Sequence, residues 1–382
     1  MVNEHENIFA HRDSLEELNQ PTTLRDKLVS THQSLKARLP FVARVAVALY
    51  DAETKVLKTY LHSSGDDSPL EHYQALLDDA PALKTILDSG RPRVVNDMLA
   101  FSHGEHEHTQ KLGQHGYAAS YTLPLYNNGD FIGFVFFNSY ERAVFTEDVL
   151  SILDLYGHLV GSVVIGELSS VNTLTAAVKT TGHITHLRDP ETGCHLERMS
   201  RYSRIIATAL ADQYDLDDDY IEHVFMFSPL HDIGKIGIPD GILLKPGPLD
   251  QAEAMVMKTH ARTGSEMIDA LVRNFGLNNF QHIDMLRNIA EYHHEAVNGS
   301  GYPEGRARDE IPLEARIVAV ADIFDALTSK RPYKEAWSNA QAIDMLKKLV
   351  NKKLDQDCVG ALLENMAQVE EIQRRFKQEC PD

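Results

Sequence analysis

The sequence predicts a multidomain protein: an N-terminal α+β domain, a long connecting helix and a C-terminal all-α bundle. Three observations carry this. Between about residues 20 and 145, apolar runs of period two alternate with short helical ones. No proline occurs from Thr146 until Pro190, and the first part of that stretch carries a helical apolar stripe. From about residue 170 onward almost every apolar run has helical spacing. A length of 382 residues fits two or three domains.

Taken in order, residues 1–20 are polar and read as a flexible N-terminus. Arg44–Asp51 and Lys55–His62 read as strands joined by a turn at Ala52–Thr54. Leu70–Asp78 and Ala82–Leu87 read as short helices, the second broken by Gly90 and Pro92. Ala119–Tyr126 and Asp130–Tyr140 are strands flanking Asn127-Asn128-Gly129, and Asn-Gly is a strong hairpin signal because a type I′ turn needs positive φ at both central residues. Thr146 can cap a helix whose apolar positions are Val149, Ile152, Leu153, Tyr156, Leu159, Val160 and Val163, close to a heptad. A helix of that length needs support, so a homodimer through the connecting helix is expected, with packing on its own domain as the alternative. Beyond it, His195–Gln213, Tyr220–Leu230, Ala252–Phe275, Met285–His293, Leu313–Thr328 and Asn339–Lys352 read as helices.

Composition narrows the function. Asp plus Glu outnumber Lys plus Arg by 56 to 37, a net charge of −19, which argues against binding nucleic acid polymers or an anionic membrane. No apolar run reaches the roughly 18 residues of a membrane span, and MVNEHENIFAHRDS lacks the apolar core of a signal peptide. Three scattered cysteines give neither a disulfide framework nor a thiolate zinc site, so a cytoplasmic location fits best. The unusual number is 19 histidines.

Their placement points to metal chemistry. His231-Asp232 pairs an imidazole with a carboxylate able to bridge two cations; alone it could be a capping Asp beside a surface His. His293-His294 closes an apolar helix, and adjacent helical residues diverge by about 100°, so both face one site only if it is wide or holds several metals; the alternative is a solvated turn. Asp322 sits in the apolar helix IVAVADIFDAL and needs a cation or strong donors; an arginine would also serve. His260 is either a ligand or a helix-face histidine. Glu191 precedes His195 by four residues, so the two can converge on one cation, or Glu191 merely favours a helix start.

Together these segments identify a resemblance. LDSGRPRVVND, then YTLPLYNNGDFIGFVFFNS, then a helix, resembles a GAF domain, although the Asn-Lys-Phe-Asp-Glu motif of cyclic-nucleotide-binding GAF domains is absent and the GAF ligand stays open. HDIGKIGIPDGILLKPGPLD at 231–250, HHEAVNGSGYP at 293–303 and RIVAVADIFDALTSKRPYKEAW at 316–337 resemble an HD-GYP domain of the HD superfamily. The implied division is a GAF-like sensor at 21–165, ending in the long helix, an HD-GYP domain at 166–372 and a C-terminal tail at 373–382.

The resemblance implies a metal-dependent phosphodiesterase that hydrolyses cyclic di-GMP to pGpG, with GMP as a further product, under control of the GAF-like domain. The ligand set it implies is Glu191, His195, His231, Asp232, His260, His293, His294 and Asp322. These donors lack thiolate and suit iron or manganese; two or three ions are expected, three being favoured by an acidic residue at Glu191. His231, Asp232 and Lys235 are the catalytic candidates. Lys235, Arg331 and Lys334 are assigned to substrate phosphates, and Gly301 and Tyr302 to the cleft, where Tyr302 stacks on a guanine or packs. Proteins with GGDEF domains are implied partners. The rival readings are a cyclic-dinucleotide receptor with little turnover and a phosphohydrolase for another nucleotide, such as cyclic GMP-AMP.

Overall fold

The computed structural model describes residues 11–64, 73–98, 112, 114–186, 193–275, 282–329 and 335–379. The chain forms two compact units, Met1–Ser169 and Ser170–Asp382.

The first unit is built on a six-stranded antiparallel sheet: β1 Val42–Asp51, β2 Val56–Ser64, β3 Gln74–Leu76, β4 Arg93–Val95, β5 Ala119–Asn127 and β6 Asp130–Ser139, in the spatial order β3-β2-β1-β6-β5-β4. The expected hairpin forms, with Asn128 at φ 51° and Gly129 at φ 94°. Side-chain alternation sends Val45, Val47, Val135 and Phe137 to one face, where α1 (Leu24–Arg38) and the first half of α3 (Glu147–His186) pack. Ala46, Ala48, Phe134 and Phe136 go to the other face, against α2 (Pro81–Ser89). Two expectations change here. The segment read as a helix over Leu70–Asp78 is, in its described part, the edge strand β3 and a 3₁₀ turn at Leu77–Asp79, because Gln74–Leu76 pairs with Val56–Lys58 of β2. Within residues 1–20, Glu16–Asn19 forms a 3₁₀ turn.

Helix α3 runs for 40 residues, begins directly after Thr146 and ends before Pro190. Within its portion Glu147–Ser169 an 18-residue window has a mean hydropathy of 1.7, long and apolar enough to cross a membrane by length and composition. Leu153, Tyr156, Val160 and Val164 are buried in the first unit's core, while Leu155 is 72% exposed.

The second unit is helical: α4 Gly193–Ala209, α5 Asp218–Phe227, α6 Gln251–Lys258, α7 His260–Phe275, α8 Ile283–Tyr292, α9 Leu313–Thr328, α10 Asn339–Leu349, α11 Gln356–Glu364 and α12 Met366–Glu379. Met199, Tyr202, Phe227, Leu286, Ile289, Val320 and Phe324 fill one core with Leu346, Val359 and Leu362. Ala252–Phe275, read as one helix, is two, divided at Thr259. The segment read as a tail from 373 is helical through Glu379, with Phe376 buried.

Candidate metal centre

Four helix ends and one helix middle supply the site. His195 lies in the first turn of α4, and His231-Asp232 follows α5 through the 3₁₀ turn Ser228–Leu230. His260 opens α7, His293-His294 ends α8, and Asp322 sits within α9.

Each of four imidazoles is oriented by its Nδ1–H. His231 donates to Ser228 O (2.9 Å), His260 to Met257 O (2.7 Å) and His293 to Ile289 O (2.9 Å). His195 donates to Asp325 Oδ2 (2.7 Å). The Nε2 atoms turn inward onto carboxylates: His231 Nε2 is 3.1 Å from Asp232 Oδ2, and His260 Nε2 is 3.1 Å and His293 Nε2 3.7 Å from Asp232 Oδ1. His195 Nε2 is 3.7 Å from Asp322 Oδ1. Two groups result, Asp232 with His260, His293 and His294, and His231 with His195 and Asp322; within each, one donor atom per residue lies within 4.8 Å of the others.

The electrostatics favour a lone-pair donor at His293 and His294 and, with no cation bound, a proton on His231 beside the Asp232 anion. Burial opposes the charge on His231, but Asp232 lifts its imidazole to about 9. Burial would raise Asp232, yet Lys235, with Nζ 2.9 Å from Oδ2, and His231 hold it well below the usual carboxylate range. Burial lowers His293, and burial together with His293 lowers His294 well below the ordinary histidine value.

Glycine sets the approach of two of these segments. A Cβ on Gly234 would lie 1.9 Å from His260 O and 2.5 Å from Gly264 N, so only glycine lets the turn carrying Asp232 press against the start of α7. Gly301 is equally confined, 2.3 Å from Ala296 N. This seats the loop after His294, and the Tyr302 ring lies 4.8 Å from that of His294 with Lys258 Nζ 5.2 Å from its centroid. Packing on His294 is therefore the observed state of Tyr302.

Seven of the eight expected ligands thus converge. Glu191, Arg331 and Lys334 lie outside the described residues. Two supporting residues escaped the sequence reading. Asp325, fully buried, binds His195 and also accepts from Arg198 Nε (2.7 Å) and Ser329 Oγ (3.0 Å). Burial would raise its carboxyl, but His195 and Arg198 hold it down. Its signal was the three-residue spacing from Asp322, which puts both on one helix face. Glu295 Oε1 accepts from the backbone of Glu304 (2.7 Å) and Gly305 (3.0 Å), closing the loop that carries Gly301 and Tyr302. Asp325→Asn is expected to loosen the His195 ring and lower metal content or turnover by about 10–100-fold, the usual cost of losing a carboxylate behind a ligating histidine. Parallel metal analysis and turnover measurements check this.

The donors fit a divalent metal centre on their own chemistry. The Nε2 atoms of His231, His260 and His293 and Oδ1 of Asp232 are buried without a hydrogen bond, while each Nδ1 is already committed. That is the tautomer a metal-binding imidazole needs. Residues 190–358 match the HD domain family and residues 31–164 the GAF domain family. The chain carries a GAF domain followed by an HD domain. All seven described ligand candidates fall inside the HD match.

Among curated relatives, the chain is 47% identical over 189 residues to the cyclic di-GMP phosphodiesterase response regulator RpfG of Xanthomonas campestris, covering 50% of this chain and 47% of that one. It is 38% identical over 218 residues to a probable cyclic di-GMP phosphodiesterase of Vibrio cholerae, covering 56% and 49%. It is 38% identical over 178 residues to the 3'3'-cGAMP-specific phosphodiesterase 2 of Vibrio cholerae, covering 47% and 32%. The chain spans about half the length of the first two of these relatives, and less of the third.

Proposed function

We propose that the protein is a metal-dependent phosphodiesterase of the HD-GYP type that hydrolyses cyclic di-GMP to pGpG. The observation that carries this reading is the inward turn of four imidazole Nε2 atoms onto Asp232 and Asp322, in two adjoining groups. His195, His231, Asp232, His260, His293, His294 and Asp322 would hold at least two ions, and Glu191 would add a third. Iron or manganese suits nitrogen and oxygen donors without thiolate. Such ions supply positive charge at the scissile phosphate and acidify water for in-line attack.

The chain's own residues do the rest. Asp232, kept ionised by Lys235 and His231, anchors three imidazoles at once. Lys235 Nζ sits beside the centre and can pair with a substrate phosphate; Arg331 and Lys334 would extend that cationic rim. Tyr302, held beside His294 by the Gly301 loop, would form one wall of the cleft and stack on a base there. The GAF domain regulates turnover in response to a ligand of its own, and the protein works in the cytoplasm as a homodimer through α3, which light scattering at assay concentration tests. A monomer would remove the dimer from the account. GGDEF-domain proteins are proposed partners at the Gly301–Tyr302 loop; a pull-down that survives its deletion would refute this.

Relatives named as cyclic di-GMP phosphodiesterases favour that substrate, and those named as 3'3'-cGAMP-specific favour the second reading, hydrolysis of a mixed cyclic dinucleotide. The expected result with metal-replete protein is faster hydrolysis of cyclic di-GMP than of 3'3'-cGAMP or of mononucleotides, with pGpG as first product. Preference for 3'3'-cGAMP would favour the second reading. Tight binding of either dinucleotide without product would make the protein a receptor.

A further inference from the structure

A second group of ligand-type side chains lies away from the HD centre, at the opposite ends of two helices that serve it. Asp219 stands in the first turn of α5, His223 one turn later, and His282 immediately precedes α8. His282 Nε2 is 2.8 Å from Asp219 Oδ2, and the two imidazole rings are 4.2 Å apart at a tilt of 38°. His223 Nδ1 donates to the Asp219 main-chain oxygen (2.8 Å) and lies 3.4 Å from Asp219 Oδ1. One donor atom from each of the three residues falls within 4.8 Å of the others. Asp219 and His223 are buried, and His282 borders a cavity of about 560 Å³ lined also by Tyr220, Asp284, Arg287, Asn288 and Glu314.

We propose that Asp219, His223 and His282 form a separate structural binding site for a borderline divalent cation of the zinc class. Two imidazoles and one carboxylate without thiolate are a common donor set for such an ion, with a fourth position left for water. Here the cavity beside His282 supplies that water. A carboxylate oxygen and an imidazole nitrogen 2.8 Å apart share a proton. Exchanging that proton for a zinc-sized ion, with bonds of about 2.0–2.1 Å, opens the pair to about 3.3 Å at a tetrahedral angle. The shift is about half an ångström, and His282, partly exposed at a helix end, can make it. The bond changes balance: two nitrogen–metal bonds and one oxygen–metal bond form, and each ligating nitrogen that carried a proton releases it to solvent.

The position gives the ion a task. α5 leads into His231-Asp232 and α8 into His293-His294, so a cation on Asp219, His223 and His282 clamps the starts of the two helices whose far ends carry four candidate ligands. The ten residues of α8 put the two sites about 15 Å apart along the helix, too far to share an ion.

The test uses the full chain, stripped with chelator, in a His231→Ala, His293→Ala background that weakens the HD centre. Zinc alone is titrated by calorimetry, and Tm is read with and without saturating zinc. The addition of His282→Asn, chosen because Asn tolerates the left-handed backbone at this position (φ 60°), is expected to remove one zinc equivalent or weaken it at least tenfold. The zinc-induced rise in Tm should vanish with it. Zinc held elsewhere cancels in the difference. Asp219→Asn, nearly isosteric, must lose the same equivalent and decides the matter if His282→Asn does not fold. Equal stoichiometry and an equal Tm rise across the parent and the variants would overturn the proposal.

Discussion

Asp232→Asn is expected to reduce hydrolysis of cyclic di-GMP by at least about a thousandfold, equivalent to about 4 kcal/mol of lost transition-state stabilisation. Among the described residues, no other meets so many of the centre's groups. Its two oxygens lie within 2.9–3.7 Å of Lys235, His231, His260 and His293. The amide keeps the shape but removes the negative charge, and its NH₂ turns a donor toward atoms that must themselves be donors or ligands. Metal content should fall with turnover. Breaking a buried charge group by removing one partner costs about 3–5 kcal/mol at worst. The imidazoles can shed their protons, so a lower Tm with an unchanged helical circular dichroism spectrum is the expected companion result. Near wild-type turnover by metal-loaded Asp232→Asn would refute its place at the centre.

Gly234→Ala is the second large effect, and it acts without touching any ligating side-chain atom. The added methyl would meet the His260 carbonyl at 1.9 Å and Gly264 N at 2.5 Å, both main-chain atoms that cannot rotate away. The turn Ile233–Gly237 must therefore separate from α7. This pulls Asp232 from His260, now 3.1 Å apart, and divides the group that holds the metal. Overpacking of this kind costs about 1–3 kcal/mol. Denaturant unfolding should show that loss, and elemental analysis should show a reduced metal content in the folded fraction. A variant with unchanged midpoint and full metal content would show that the turn accepts the methyl without parting from α7, and would refute this reading of Gly234.

The parts of the fold that could be read from the sequence are those with a local physical signature. Asn128-Gly129 announces its hairpin because few other residues take positive φ twice in succession. Helix α9 was legible to its ends because the apolar residues of Leu313–Thr328 keep helical spacing around the three carboxylates Glu314, Asp322 and Asp325. Helix α1 was not, since it is mostly polar; a reciprocal Thr23–Asp26 cap starts it and the docking of Leu24, Leu28 and Leu35 on the sheet holds it. Edge strand β3 was misread because only its pairing with β2 makes it extended, and that pairing is a tertiary fact. Helices α11 and α12 fall in the region read as almost all helix but were given no bounds of their own.

The site shows the same division. Seven ligand candidates stand in short, distinctive segments, and the fold brings all of them together. Glu295 looks ordinary in sequence, and Asp325 is marked only by its spacing from Asp322. Asp325 earns its role from His195, 130 positions away, and Glu295 from two backbone amides of the following loop. The second histidine cluster was also invisible, because Asp219 and His282 lie 63 positions apart and meet only when α5 and α8 pack.

The central claim is that the HD centre binds more than one metal and hydrolyses a cyclic dinucleotide with them. The most direct test is an anaerobic preparation loaded with iron or manganese, on which metal equivalents and cyclic di-GMP turnover are measured in the same sample, with Glu191→Gln alongside. At least two equivalents are expected at the HD centre, counted as the difference from a His231→Ala, His293→Ala protein, with pGpG formed only once the second has bound. Glu191→Gln should lower the count by about one and impair hydrolysis without abolishing it. Full turnover with a reproducible single equivalent, or a fully loaded protein that binds cyclic di-GMP and releases no pGpG, would contradict the account.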